Sequence, residues 1–135
     1  MSSRAALLRD TLEIALCDDR FPALFYDKLF AARPSLRPMF TRNSPGAQQK
    51  MFAQKLAAIV DSVDQPELLR AEARAIAKSH ASYGIRPEMY GWVGEALIAA
   101  LREAVGPGEW TAEAEAAWTE AYTAVAEAVL AEPPA

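Results

Sequence analysis

One histidine and one cysteine stand among the 135 residues, and each shortage removes a class of chemistry. A lone cysteine, Cys17, forms no internal disulfide, which predicts a reducing compartment, and its place at the end of a helical stretch reads as a small apolar filler. His80 and Cys17 are too few and too far apart in sequence to build a structural zinc site. A serine-histidine-acid arrangement and a phosphate loop are missing as well. Gly91 and Gly94 lie inside a helical pattern with no strand before them, so they form no dinucleotide fingerprint. Regularly spaced valine, isoleucine and threonine runs are scarce, which argues against strands. A net charge of -4, a pI near 5.0 and the lack of any basic cluster argue against nucleic acid as a partner. Glu95, Arg102 and Glu127 interrupt the longest apolar candidates, and no charged-then-apolar leader opens the chain. The expectation is a soluble, unexported, cytoplasmic protein with no membrane contact.

What the chain does have is apolar helix-forming sequence. The hydrophobic share is 52%, rich in alanine, and the length suits one well-buried core with no room for a built-in reductase or signalling output. About six helices plus a short one are predicted, an all-α architecture. Leu8, Leu12, Ala15 and Leu16 stripe the first, over residues 3–17. Asp19 is placed to cap the second, with Pro22 in its first turn, and Phe21, Leu24, Phe25, Tyr26, Leu29 and Phe30 make it apolar round much of its circumference. Pro34 stops it, and Ser35 to Phe40 reads as one short turn. Ser44 and Pro45 start a helix running to about Val63 with Phe52, Leu56, Ile59 and Val63 on its stripe, and Pro66 opens another with Leu69, Ala73, Ile76 and His80 in line. Gly84 suits the residue that ends it. Pro87 begins a helix carrying Tyr90, Val93, Leu97, Leu101 and Val105, and Gly106-Pro107-Gly108 breaks it. Thr111 caps the last, whose stripe is Trp118, Tyr122, Val125 and Val129. One domain over 1–132 and a frayed, disordered tail over 133–135 complete the expected organisation.

Three polar side chains fall on apolar stripes, where burial is costly without a partner: Tyr26, Gln48 and His80. Each taken alone has an ordinary reading. A histidine on a buried helical line is more often a satisfied core residue, and free carbonyls at a helix end favour its protonated form. Tyr26 and Gln48 alone read as packing and surface residues.

Their combination, in this order, resembles the globin family, and within it the bacterial single-domain globins and the haem domain of flavohaemoglobins. The resemblance spans nearly the full length. It rests on Phe25-Tyr26-Asp27-Lys28-Leu29-Phe30, Pro34, Arg37-Pro38-Met39-Phe40, Gln48, His80 with Tyr83-Gly84, Tyr90 with Val93, and Ala117-Trp118 with Tyr122. It implies a globin fold, a three-over-three helical sandwich around haem b, with His80 as the proximal ligand to iron and Phe40 packed on the macrocycle. Tyr26 and Gln48 become the distal pair, with Phe52 as the apolar distal wall. Met39, Ile76, Ile85, Val93 and Leu97 join the haem contacts. A phenol donor stabilises bound oxygen in a way that carbon monoxide does not share equally, and such a hydrogen bond in a dry pocket is worth about 1.5–3 kcal/mol, roughly ten- to a hundredfold in oxygen release. Gln49 leaves a one-residue ambiguity; Gln48 is preferred because it lines up with Phe52 and Leu56. The resemblance also implies a tyrosine and a glutamate on the far nitrogen of the ligand histidine. Tyr90 matches. Glu132 is one residue short of that spacing, beside the prolines, and reads more readily as a solvated terminal charge.

The function implied is reversible oxygen binding, storage or delivery, or conversion of nitric oxide to nitrate with an external reductase, with peroxidase-like side activity as a further option. A gas-sensing module acting through a partner protein and a haem-free helical interaction protein are the alternatives. A monomer and a homodimer are equally compatible with the sequence.

Overall fold

A computed structural model describes residues 3–40, 44–83 and 86–131. Six α-helices follow one another: α1 (Ser3–Leu16), α2 (Phe21–Ala32), α3 (Pro45–Ser62), α4 (Pro66–Tyr83), α5 (Met89–Val105) and α6 (Ala112–Ala131), with a 3₁₀ helix over Pro34–Phe40 between α2 and α3. No strand occurs among the described residues, and the all-α expectation holds.

Punctuation in the sequence places most boundaries. Pro22 sits in the first turn of α2, where its missing N–H breaks no helical bond. Ser44 accepts from the Ala47 amide at 3.3 Å and Pro45 follows it into α3. Thr111 accepts from the Ala114 amide at 3.1 Å at the head of α6, which carries Glu113 and Glu115 in its first turn. Gly106 closes α5 at φ +88°, a left-handed value that favours glycine.

Three local readings need correction. The cap of α2 is Arg20, with no side-chain bond, because Asp18 instead of Asp19 accepts the Arg20 amide at 2.9 Å and also grips its guanidinium. Helix α5 begins two residues after Pro87, because Met89 and Tyr90 first bond back to the carbonyls of Arg86 and Pro87 in a turn. Cys17 is an exposed free thiol on the turn after α1, not an apolar filler. Gly84, Ile85, Glu132 and the tail 133–135 lie outside the described residues.

The helices form two layers. α1 packs on α3 and α3 on α4, making one; α2 packs on α5 and α5 on α6, making the other. Contacts of α1 with α5 and α6, α2 with α3, and α4 with α6 join them, the three-over-three arrangement. Large and small side chains share the core between the layers: Phe21, Leu8, Leu29 and Leu101 are fully buried there, and so are Ala15, Ala100 and Ala114. A smaller cluster, Ala73 and Ile76 of α4 against Val125 and Val129 of α6, pins the helix that carries His80. No helix among the described residues is long and apolar enough to cross a membrane.

One buried polar bond ties the first helix to the last. Trp118 donates its indole N–H to Thr11 Oγ1 at 2.8 Å, and that hydroxyl donates onward to the Leu7 carbonyl at 2.8 Å. Both residues are buried. Thr11→Val strands the indole donor and should cost about 1–3 kcal/mol, whereas Thr11→Ser keeps the bond. Denaturant midpoints of the two variants check this: equal loss in both means the hydroxyl contributes nothing.

Candidate functional site

A cavity of about 430 Å³ opens between the layers, within the size range of small-molecule and cofactor sites. Tyr26 of α2, Met39 and Phe40 of the 3₁₀ helix, and Gln48 and Phe52 of α3 line it. Ile76 and His80 of α4 and Tyr90, Val93 and Leu97 of α5 line it as well. The structure therefore brings together every site residue expected from sequence that it describes; Ile85 is not among them.

On the α2–α3 side, aromatic rings enclose Tyr26. Phe25 and Phe52 stack with centroids 4.3 Å apart and planes within 5°. Tyr26 meets Phe25, Phe40 and Phe52 edge-on at 4.9, 5.7 and 5.7 Å, contacts that restrict where its hydroxyl points. Gln48 Nε2 donates to Tyr26 Oη at 3.2 Å. The Gln48 carboxamide oxygen is buried with no hydrogen-bond partner. Such an acceptor costs about 1–3 kcal/mol of desolvation until something in the cavity satisfies it. Gln48 lines the cavity and Gln49 does not, because Gln48 shares the line of Phe52 and Leu56.

On the α4–α5 side, His80 Nδ1 lies 2.8 Å from Tyr90 Oη. Burial holds the imidazole below its ordinary range and so favours the neutral form. Burial pushes the Tyr90 phenol up, keeping it protonated. With Nδ1 engaged by Tyr90, Nε2 is the nitrogen left for a metal.

Tyr90 is itself steered, a feature legible only in three dimensions. Tyr122 of α6 donates its hydroxyl to the Tyr90 carbonyl at 2.6 Å, and burial, then the neighbouring Tyr90, raises its pKa. Its ring lies so close to Gly94 that a Cβ there would stand 2.6 Å from Tyr122 Cε2. The sequence signal was faint: a glycine inside a helix, one turn after Tyr90, facing a tyrosine on a buried stripe.

The residues fit an iron porphyrin. Among the described residues no group of three or more histidine, cysteine or carboxylate side chains could hold a bare ion, so a metal at His80 must bring further donors of its own. The cavity wall is apolar and aromatic, its one imidazole is neutral and oriented, and an unpaired polar atom waits on the other side.

Comparison with known proteins agrees. The family model described as Globin matches residues 23–129. The flavohemoprotein of Rhizobium meliloti is 39% identical over 100 residues, covering 73% of this chain and 25% of that protein. An engineered carbene transferase, a candidate nitric oxide dioxygenase from Rhodothermus marinus, superposes with a TM-score of 0.78 at 30% identity, covering 94% of this chain and 89% of that one. The flavohemoglobin of Malassezia yamatoensis, solved with bound FAD and haem, gives 0.68 at 28% identity over 96% of this chain and 36% of its own. The chain spans about a quarter of the length of the curated relatives it matches.

Two glycines of α5 should respond oppositely to alanine. Gly91 has nothing within 4 Å of a built Cβ, so Gly91→Ala should stabilise by about 0.5–1 kcal/mol. Gly94→Ala forces the Tyr122 ring aside, an overpacking cost of about 1–3 kcal/mol that offsets or exceeds the same helix gain. Thermal melts decide; equal stabilisation in both would show that Tyr122 yields freely. A second expectation concerns pH. His80 is held below its usual 6.5, so in the ligand-free protein the unfolded chain binds that proton first. The contribution is full above about pH 6.5 and is lost as pH falls towards the depressed value. Urea titrations from pH 7.5 to 4.5 should show this slope reduced in His80→Gln; an unchanged slope refutes it.

These residues, this topology and these relatives lead to one conclusion: the chain belongs to the globin family.

Proposed function

We propose that this globin binds dioxygen between His80 on one side and the Tyr26–Gln48 pair on the other, and that it turns nitric oxide into nitrate when a reductase supplies electrons. The cofactor is haem, the group the cavity and its donors fit. The single observation carrying the reading is the cavity itself: one neutral imidazole bonded to Tyr90 on the α4–α5 side, and a phenol bonded to a carboxamide on the α2–α3 side.

When bound, haem supplies an iron with His80 as its protein ligand and a position open to a diatomic gas. Tyr90, accepting from Nδ1, fixes the ring and its tautomer and raises the basicity of the ligating nitrogen. Tyr26 is the residue that would donate a hydrogen bond to dioxygen in the cavity, and it would do less for carbon monoxide. Such a bond in a dry site is worth about 1.5–3 kcal/mol, roughly ten- to a hundredfold in release rate. Gln48 orients the phenol, and the Phe25, Phe40 and Phe52 rings around it exclude water.

Retention of dioxygen gives nitric oxide time to react with it. One dioxygen and one nitric oxide make nitrate, and each turnover requires one electron to be returned. The partner implied is a reductase outside these 135 residues, a reading supported by the name flavohemoprotein among the relatives and by the FAD of the Malassezia protein. The exposed thiol of Cys17 suits a reducing setting, and we place the protein in the cytoplasm.

Rapid mixing of the oxygenated protein with nitric oxide should yield one nitrate per haem. Tyr26→Phe should release oxygen roughly ten- to a hundredfold faster and yield correspondingly less nitrate in competition with that release. Wild-type release and yield in the variant would remove Tyr26 from the mechanism.

A further inference from the structure

Charge is divided unevenly over the fold. Helix α6 carries Glu113, Glu115, Glu120 and Glu127 and no lysine or arginine. Between Asp27 and Asp61, by contrast, the chain has six basic residues, spaced singly, and no acidic one. Helix α4 adds Arg70, Arg74 and Lys78, which stand four apart and so share one slanting, exposed line, turned away from the buried Ala73 and Ile76. The ion pairs follow the same division. Arg4, Arg9, Arg20, Lys28, Arg86 and Arg102, in or beside α1, α2 and α5, are each paired with a carboxylate. Among the described residues, Lys50 of α3 and Arg70, Arg74 and Lys78 are exposed and none of them is in an ion pair. Like charges one turn apart repel, and the fold supplies α4 with no carboxylate bound to any of the three.

This basic face is also where the cavity opens. Helices α3 and α4 lie side by side, joined by the Lys55–Glu72 ion pair at 2.9 Å. The exposed lining residues of the cavity are Met51 and Lys55 of α3 and Ala75 and Ser79 of α4. Met51 follows Lys50, Ala75 follows Arg74 and Ser79 follows Lys78, so the mouth sits among the three cations. Met51, 42% exposed, gives it an apolar centre.

Resting on the haem reading and its need for an electron from outside, we propose that the outer face of α3 and α4, with Lys50, Arg70, Arg74 and Lys78, is the docking surface for an acidic electron-donor protein. Electron transfer slows steeply with distance, so the donor must come to the mouth, the place where the surface is nearest the cavity contents. An acidic donor is drawn to this face and repelled by the glutamates of α6, so the field both speeds the encounter and orients it. An apolar spot within a charged rim is the usual anatomy of such a contact. The step makes and breaks no bond: a flavin of the donor is oxidised by one electron as ferric iron is reduced to ferrous. A lipid surface of negative charge would meet the same cations but supplies no electron.

The test mixes the ferric, haem-loaded protein anaerobically with reduced flavodoxin, an acidic flavoprotein, and follows the Soret band. Salt is set at about 10 mM and about 1 M, where fields reach about 30 Å and about 3 Å. Joint replacement of Arg70, Arg74 and Lys78 by glutamine should slow reduction about tenfold at the lower salt, the low end of charge steering, and less than about twofold at the higher. The single reversals Arg74→Glu and Lys78→Glu, which keep good helix formers at exposed positions, should each show part of that loss. Arg102→Gln, which removes a cation from the α5–α6 side, should show none. As a readout apart from turnover, amide shifts of the labelled carbonmonoxy protein titrated with oxidised flavodoxin should fall on α3 and α4 and vanish in the triple variant. Wild-type rates in the triple variant at low salt overturn the proposal, as does a loss undiminished at high salt, which is damage to the site, or shifts that fall on α5 and α6. Binding to phosphatidylglycerol vesicles that needs the three cations, with the flavodoxin rate unchanged by their removal, assigns the face to a membrane and also overturns it. Failure of the haem reading looks different, since the wild-type protein would then develop no Soret band on haem addition.

Discussion

The bond between His80 Nδ1 and Tyr90 Oη is the constraint on which the rest depends. It fixes the imidazole in one tautomer and one orientation, and so decides which nitrogen faces a metal and how basic that nitrogen is. Holding two groups from different helices at 2.8 Å requires that neither helix slide. α4 is secured by Ala73 and Ile76 against Val125 and Val129, and α5 by the hydroxyl of Tyr122 on the Tyr90 carbonyl. Local residues thus acquire chemistry through packing some distance away.

The opposite side of the cavity is built on a different principle. There the polar pair is set into aromatic surroundings and left incomplete, for Gln48 has satisfied its amide on Tyr26 and has nothing for its oxygen. Buried polar atoms are almost always paired, so the Gln48 oxygen is placed to accept a hydrogen bond from whatever enters the cavity, water included.

Much of this was legible in the sequence, for identifiable reasons. Proline at the heads of α2 and α3, Ser44 and Thr111 as caps, and apolar residues at three-and-four spacing act locally, and they located the helices to within a residue or two. Tyr26, Gln48 and His80 drew notice because each interrupts an apolar stripe, and the cavity gathers all three. Choices among adjacent candidates were harder. Asp18 and Asp19 are equivalent as letters, and only the turn's actual dihedrals hand the amide of Arg20 to the first. Cys17 read as a filler because the first helix was carried one residue past its end at Leu16. Gly94 carried only a faint signal, since a missing side chain matters only once the ring opposite is known.

The double attachment of α6 has a further consequence. One helix supports the histidine-bearing helix from beneath through Val125 and Val129 and, through Tyr122, also grips the strut that carries the tyrosine. Both partners of the His80–Tyr90 bond thus rest on one common support, and a substitution that shifts α6 reaches the imidazole by two routes, through the helix that carries it and through the tyrosine that orients it.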